Sequence, residues 1–167
     1  MIRIANRNDI TRIVEMEIFV NRYNFKNILP NDFLYGKNAF EDKKNWIEET
    51  FVDMEKNKKL EIYVFEDDNI VKGYFSIAYN QNEREECELL QFLIDVPFQN
   101  NGYGKLLIDY CLKLAKSKEL KVIWIEEVFE QNIAAIKLYE KVGFKIIEKK
   151  FSNDWNLNAY RFKKDIE

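Results

Sequence analysis

Apolar positions recur first at helical spacing and then at strand spacing. Ile2–Ala5 reads as a short strand. Ile10, Ile13, Val14 and Glu17 then share one side of a helix that Asn8 or Asp9 can cap and that runs to about Val20. Residues 21–38 mix aromatic side chains with Pro30 and Gly36 and are expected to be irregular. Phe40, Trp46, Ile47, Phe51 and Met54 mark a second helix, Phe40–Lys56. Leu60–Glu66 alternates as a strand, Asp67-Asp68-Asn69 makes a tight turn, and Ile70–Tyr79 returns. A polar, acidic loop at Asn80–Glu86 leads to Cys87–Asp95, a nearly continuous apolar run that suits a central strand. Lys105–Lys116 predicts a strong helix with Leu106, Leu107, Tyr110 and Leu114 on one side. A strand at Lys121–Val128, a short helix at Ile133–Lys141 ending at Gly143, and strands at Lys145–Phe151 and Leu157–Phe162 complete the chain. The order β-α-α-β-β-β-α-β-α-β-β puts hairpins around one β-α-β-α core. An α/β fold is expected, with a mixed central sheet of about six or seven strands and about four helices. The absence of repeats and linkers predicts one domain, 1–167.

Composition narrows the chemistry. The net charge of -3 offers no global attraction for nucleic acid or anionic lipid, so neither partner is expected. There is no histidine, which removes a serine-hydrolase triad and the most frequent zinc ligand. No metal is expected, and proton transfer falls to Glu, Asp, Tyr, Lys, Cys or water. Cys87 and Cys111 read as two reduced, buried thiols, or as a nucleophile that has no histidine to activate it. No apolar run approaches a membrane span, and the N-terminus lacks the apolar core of a signal peptide, so a cytoplasmic location is expected.

Between the apolar strand and the strong helix lies Gln99-Asn100-Asn101-Gly102-Tyr103-Gly104-Lys105. Two glycines let the backbone approach a ligand, and the first turn of a helix presents unpaired amides at the positive end of its dipole. This is an anion site suited to a pyrophosphate, with Lys105 as a cation at its rim. The spacing matches neither a P-loop nor a three-glycine dinucleotide fingerprint.

A second run covers Glu127 to Phe144. Asn132 is a good helix N-cap, Ala134, Ala135 and Leu138 give a small-residue face, and Tyr139 follows Asn132 by two turns on the same side. Gly143-Phe144 ends the helix and turns an aromatic inward.

The loop matches the Gln/Arg-x-x-Gly-x-Gly/Ala signature at Gln99, Gly102 and Gly104. The second run matches Val-x3-Asn-x2-Ala-x2-Leu-Tyr-x3-Gly-Phe at every position. On these two motifs the chain resembles the GNAT N-acetyltransferases, from about residue 60 to its end. The resemblance implies a GNAT fold with splayed fourth and fifth strands and transfer of acetyl from acetyl-CoA to a primary amine, in a monomer or homodimer. It implies that Gln99, Asn100, Asn101, Gly102, Tyr103, Gly104 and Lys105 hold the coenzyme pyrophosphate. Backbone groups near Phe92, Leu93 and Ile94, with Asn132 and Ala135, would bind the remainder of the coenzyme. Tyr139 would protonate the departing thiolate. The base is Glu127 by likeness to ribosomal-protein alanine acetyltransferases, with Glu88, Glu126 or ordered water as alternatives. Glu126 is read in phase with Trp124 and Val128 on its strand.

By the same resemblance the acceptor meets residues 23–40 and 151–160. These hold Tyr23, Phe25, Phe33, Tyr35, Phe151, Trp155 and Tyr160. Glu83, Glu85, Glu86, Glu88, Glu126, Glu127 and Glu130 lie nearby in sequence, so an aromatic and acidic pocket would suit a cation: a polyamine, an aminoglycoside or a peptide N-terminus. The bland reading makes the aromatics core and the acids a solvated rim. Two rivals stay open, transfer of a different acyl group and a non-catalytic domain that senses acyl-CoA or serves only as an interaction module. Lys113, Lys116, Lys118 and Lys121 form a solvated helix face or reach the coenzyme 3′-phosphate.

Overall fold

The computed structural model describes residues 1–57, 59–79 and 85–166. Among them, seven strands form one mixed sheet in the order β1-β2-β3-β4-β5-β7-β6. The strands are β1 (Ile2–Ile4), β2 (Leu60–Asp67), β3 (Ile70–Tyr79), β4 (Glu86–Ile94), β5 (Val122–Phe129), β6 (Lys145–Ser152) and β7 (Leu157–Asp165). The helices are α1 (Ile10–Phe25), α2 (Asn31–Tyr35), α3 (Ala39–Asn57), α4 (Tyr103–Ser117) and α5 (Ile133–Lys141). The α/β class and the mixed sheet are as the hydrophobic pattern predicts. Contacts divide the chain into two compact units, Met1–Ser76 with Gln91–Leu107, and Ile77–Leu90 with Ile108–Glu167.

In the first unit β1 lies antiparallel to β2, with Ile2 opposite Phe65 and Ile4 opposite Tyr63. Ile10, Ile13, Val14 and Met16 of α1 pack with Ile47 and Phe51 of α3 and with Ile62, Val64, Val71 and Tyr74 of the strands. Asp9 stands at the N-cap position of α1, as expected, but its side chain makes no cap hydrogen bond to that helix. Asn6, ahead of the expected Asn8 or Asp9, caps a single 3-10 turn, and the Asp9 carboxylate accepts the Asn6 N–H at 2.8 Å. Asp9 also takes the Arg3 guanidinium at 2.8 and 2.9 Å. Burial pushes its carboxyl up, but the Arg3 and Asn6 hydrogen bonds outweigh that and hold it below its ordinary value. The stretch expected to be irregular is partly helical. The first helix continues to Phe25, which is buried, and α2 forms after Pro30. Burial of Leu34 and a 2.8 Å bond from Arg22 Nε to its carbonyl explain why this aromatic stretch orders.

In the second unit the start of β4 runs parallel to the start of β5, with Glu86, Cys87 and Glu88 opposite Val122, Ile123 and Trp124. Strand β7 lies antiparallel to β5 on one side and to β6 on the other. The pairing of β5 with β7 shifts register between Ile125 and Val128, a β-bulge. The bulge corrects the expected phase. Ile123 and Ile125 are buried, and Val128 is buried with them, although alternation groups it with Trp124 and Glu126. One extra residue on β5 turns Glu126 and Glu127 out of the alternation. Gly143 ends α5 at φ +91, and Phe144 is buried, as expected.

Candidate active site

The loop is fixed by its own side chains and its neighbours in the first unit. Asp95 accepts the Val96 N–H at 2.8 Å and starts a 3-10 turn, Val96–Phe98. Arg12 bridges Asp95 to the Val71 carbonyl, the latter at 3.1 Å. Gln99 Nε2 donates to the Ile94 carbonyl at 2.9 Å, so the signature glutamine ties the loop back to β4. Asn101 Nδ2 donates to the carbonyls of Phe98 and Gln99, at 3.3 and 3.1 Å. The Phe98 and Tyr103 rings lie against the Lys72 ammonium, at 5.1 and 5.6 Å. Asn100 and Gly102 adopt φ of 62° and 80°. A Cβ added at Gly102 meets nothing within 4 Å, so glycine serves the turn and leaves open space above it. The Leu106 N–H donates to the Gly102 carbonyl at 3.1 Å, and the amides before it belong to the first turn, which has no helical carbonyls to reach. Open backbone at a helix N-terminus fits a phosphate group.

Of the other coenzyme candidates in this unit, Phe92 and Leu93 are half-buried and Ile94 is buried. Gly73 was not singled out in the sequence, yet a Cβ there would come within 2.8 Å of the Leu93 carbonyl and 2.5 Å of Ile94 Cδ1. Its missing side chain lets β3 and β4 approach where the coenzyme strand is expected.

In the second unit Asn132 caps α5 by accepting the Ala135 N–H at 3.3 Å. Ala134 is exposed, while Ala135 and Leu138 are half-buried. Tyr139 is buried among Phe144 and Phe162, with ring centres at 5.7 and 5.8 Å. Burial, aided by Cys111, raises its phenol above the usual range, so the hydroxyl stays protonated through neutral pH. Cys87 and Cys111 are free and buried, and burial followed by the nearby Glu86 charge pushes the Cys87 thiol up to about 12. Both fit the reading as inert core thiols.

The three glutamates that compete as base differ sharply. Glu127 is exposed on the bulge. Glu126 is held by Arg161, whose Nε and Nη2 both lie 2.9 Å from its Oε1, and by Lys150 at 3.7 Å. Glu88 is half-buried. Burial and then the Glu126 charge raise its pKa, and Lys150 and Arg161 oppose them without cancelling the rise. Glu130, expected to be available to a cation, instead binds Lys149 at 2.7 Å and the Tyr160 hydroxyl at 3.0 Å. Glu86 accepts the Trp124 indole N–H at 2.9 Å. Glu83 lies outside the described residues. Arg161 carried no signal in the sequence, because its partners, Glu126 and Trp124, stand on another strand, 35 or more residues away in the chain.

The aromatics expected at the acceptor divide. Phe25 is core, whereas Tyr23, Tyr35 and Phe151 are exposed. Arg22 stacks on Tyr35 at 5.1 Å and Lys43 on Phe33 at 5.9 Å, so cations of the chain itself occupy some of these rings. Among the described residues, no helix is long and apolar enough to cross a membrane.

Residues 23–144 match the family model described as the acetyltransferase (GNAT) family, and the chain belongs to that family. Over 99 residues it is 29% identical to a ribosomal protein bS18-alanine N-acetyltransferase of Salmonella typhimurium, a match covering 59% of this chain and 64% of that enzyme. The chain thus spans under two thirds of that relative's length. It is 31% identical over 109 residues to a spermine/spermidine N(1)-acetyltransferase of Bacillus subtilis, covering 60% of this chain and 71% of that one. The fold is similar to that of the PaiA N-acetyltransferase of Thermoplasma acidophilum in complex with coenzyme A, with a TM-score of 0.81 and 18% identity over 99% of this chain and 98% of that one.

Proposed function

We propose that residues 1–167 act as one N-acetyltransferase domain that moves acetyl from acetyl-CoA to a primary amine in a ternary complex. The observation that carries this reading is Gly102, at left-handed φ with open space above it, at the start of α4 in a chain of this family. In this reading the pyrophosphate of the co-substrate lies on the amides of residues 99–105, with Lys105 at the rim. The strand backbone at Phe92–Ile94, together with Asn132 and Ala135, takes the rest of the coenzyme. An amide of the strand polarises the acetyl carbonyl. The neutral amine attacks the carbonyl carbon, the C–N bond forms and the C–S bond breaks. Tyr139 gives its proton to the departing sulfur.

For the base we favour Glu88 over Glu127. A carboxyl with a raised pKa is better matched to an ammonium near neutral pH, and Glu88 has one while Glu127 is exposed. The acceptor is a peptide N-terminus or a polyamine, a reading supported by relatives named for a ribosomal-protein alanine and for spermine and spermidine. In this reading the enzyme works in the cytoplasm, as a monomer or homodimer.

Calorimetric titration with acetyl-CoA and with CoA tests the reading. Binding that Gly102→Glu abolishes supports it and directs an amine screen to peptide N-termini and spermidine. No binding by the unaltered protein overturns it.

A further inference from the structure

Arg161 is placed with unusual care for a half-exposed side chain. Two of its nitrogens converge on one oxygen of Glu126, each at 2.9 Å. Its guanidinium carbon also lies 4.1 Å from the centre of the Trp124 ring. Trp124 is itself anchored, by its indole N–H to Glu86 at 2.9 Å and by its register opposite Glu88. The antiparallel pairing of β5 with β7 brings Glu126 and Arg161 together, because the register Trp124↔Lys163 and Ile125↔Phe162 leads on to this pair just before the bulge. The charges that act on Glu88 come from three other strands, Glu126 on β5, Lys150 on β6 and Arg161 on β7. Glu86 of β4 and Lys163 of β7 lie against Trp124, the register partner of Glu88.

We propose that Arg161 is a positioning residue that, by holding Glu126, governs when Glu88 can accept a proton. The inference rests on Glu88 being the base of the proposed reaction. An ionised Glu126 repels a second carboxylate nearby, and a neighbouring cation offsets that repulsion. Lys150 contributes to this offset, and Arg161 contributes from a stacked place, because a planar guanidinium can lie on an indole while it donates to a carboxylate. Without Arg161, Glu126 keeps Lys150 at 3.7 Å, and its negative charge acts more fully on Glu88. Without the Glu126 charge, Arg161 is left as an uncompensated cation. The two removals therefore shift the proton affinity of Glu88 in opposite directions, which packing damage does not do.

The experiment measures kcat/KM against pH for the unaltered enzyme, Arg161→Gln, Arg161→Lys and Glu126→Gln, with acetyl-CoA and the best amine of the screen. The acidic limb of the profile is expected to move up by about half a pH unit in Arg161→Gln, less in Arg161→Lys, and down by about one unit in Glu126→Gln. The same shifts are read without turnover from the Glu88 carboxyl signal in a carbon NMR titration, identified by its loss in Glu88→Gln. If both charge removals slow the reaction with the limb and the NMR midpoint unmoved, or move them in the same direction, the proposal is overturned. If the NMR midpoints shift as expected while Glu88→Gln retains the acidic limb, the pairing stands and Glu88 as base fails. If Arg161→Gln does not fold by circular dichroism, the direction of the Glu126→Gln shift decides.

Discussion

The glycine loop before α4, the proposed phosphate site, and the carboxylate face are built by different means. The loop is made of backbone: a left-handed glycine, a helix start, and the Gln99 and Asn101 amides that brace it onto carbonyls at Ile94, Phe98 and Gln99. Each of these follows from residues close in sequence. The carboxylate face is made of side chains from β4, β5, β6 and β7, and its character depends on which charges meet. Three glutamates of equal standing in sequence, Glu88, Glu126 and Glu127, become a half-buried acid with a raised pKa, an ion-paired anion and an exposed charge. A site made of backbone tolerates side-chain change except where a Cβ is forbidden. A site made of side chains can be retuned by residues that never touch the substrate.

The largest effect that would separate the two regions is on turnover. Tyr139→Phe is expected to lower kcat roughly 100- to 1,000-fold, the scale of general acid catalysis, and to leave coenzyme affinity within about twofold. Equal losses in rate and affinity would place Tyr139 in binding instead. Gly102→Glu acts on the loop alone. It puts a side chain at φ +80 and an anion where phosphate is proposed, and calorimetry should show CoA binding weakened about 100-fold. Gly143→Ala probes α5, where a Cβ at φ +91 comes within 2.9 Å of Lys164 Nζ. Denaturant unfolding should show a loss of about 1–2 kcal/mol.

Asp9 offers a smaller, pH-dependent effect in the first unit. Its folded pKa is depressed, so the stability it contributes is present above the unfolded value and fades as pH falls through the folded one. Asp9→Asn should flatten the acid side of a plot of denaturant midpoint against pH, and an unchanged slope there would remove Asp9 from the account. The smallest change sharpens the carboxylate face itself. Glu127→Gln should alter kcat/KM by less than about twofold, while Glu88→Gln lowers it roughly 100-fold. The reverse order would return the base to Glu127.

The sequence by itself determined the order of the strands and of the four longer helices, the glycine loop before α4 and the α5 run. Hydrophobic period, a glycine before a helix and an N-cap asparagine act within a few residues of themselves, so Gln99, Gly102, Asn132 and Gly143 could be read directly. The helical ordering of residues 31–35 was less legible, because it depends on burial of Leu34 and on Arg22 from another helix. Tertiary structure alone decided the carboxylate face. A bulge on β5 cannot be seen in its alternation, and it reset the phase at Val128, while the pairing of β5 with β7 set Glu126 beside Arg161, 35 residues away in the chain. Proton affinity depends on burial and on charges brought together by strand pairing, and both are properties of the folded sheet.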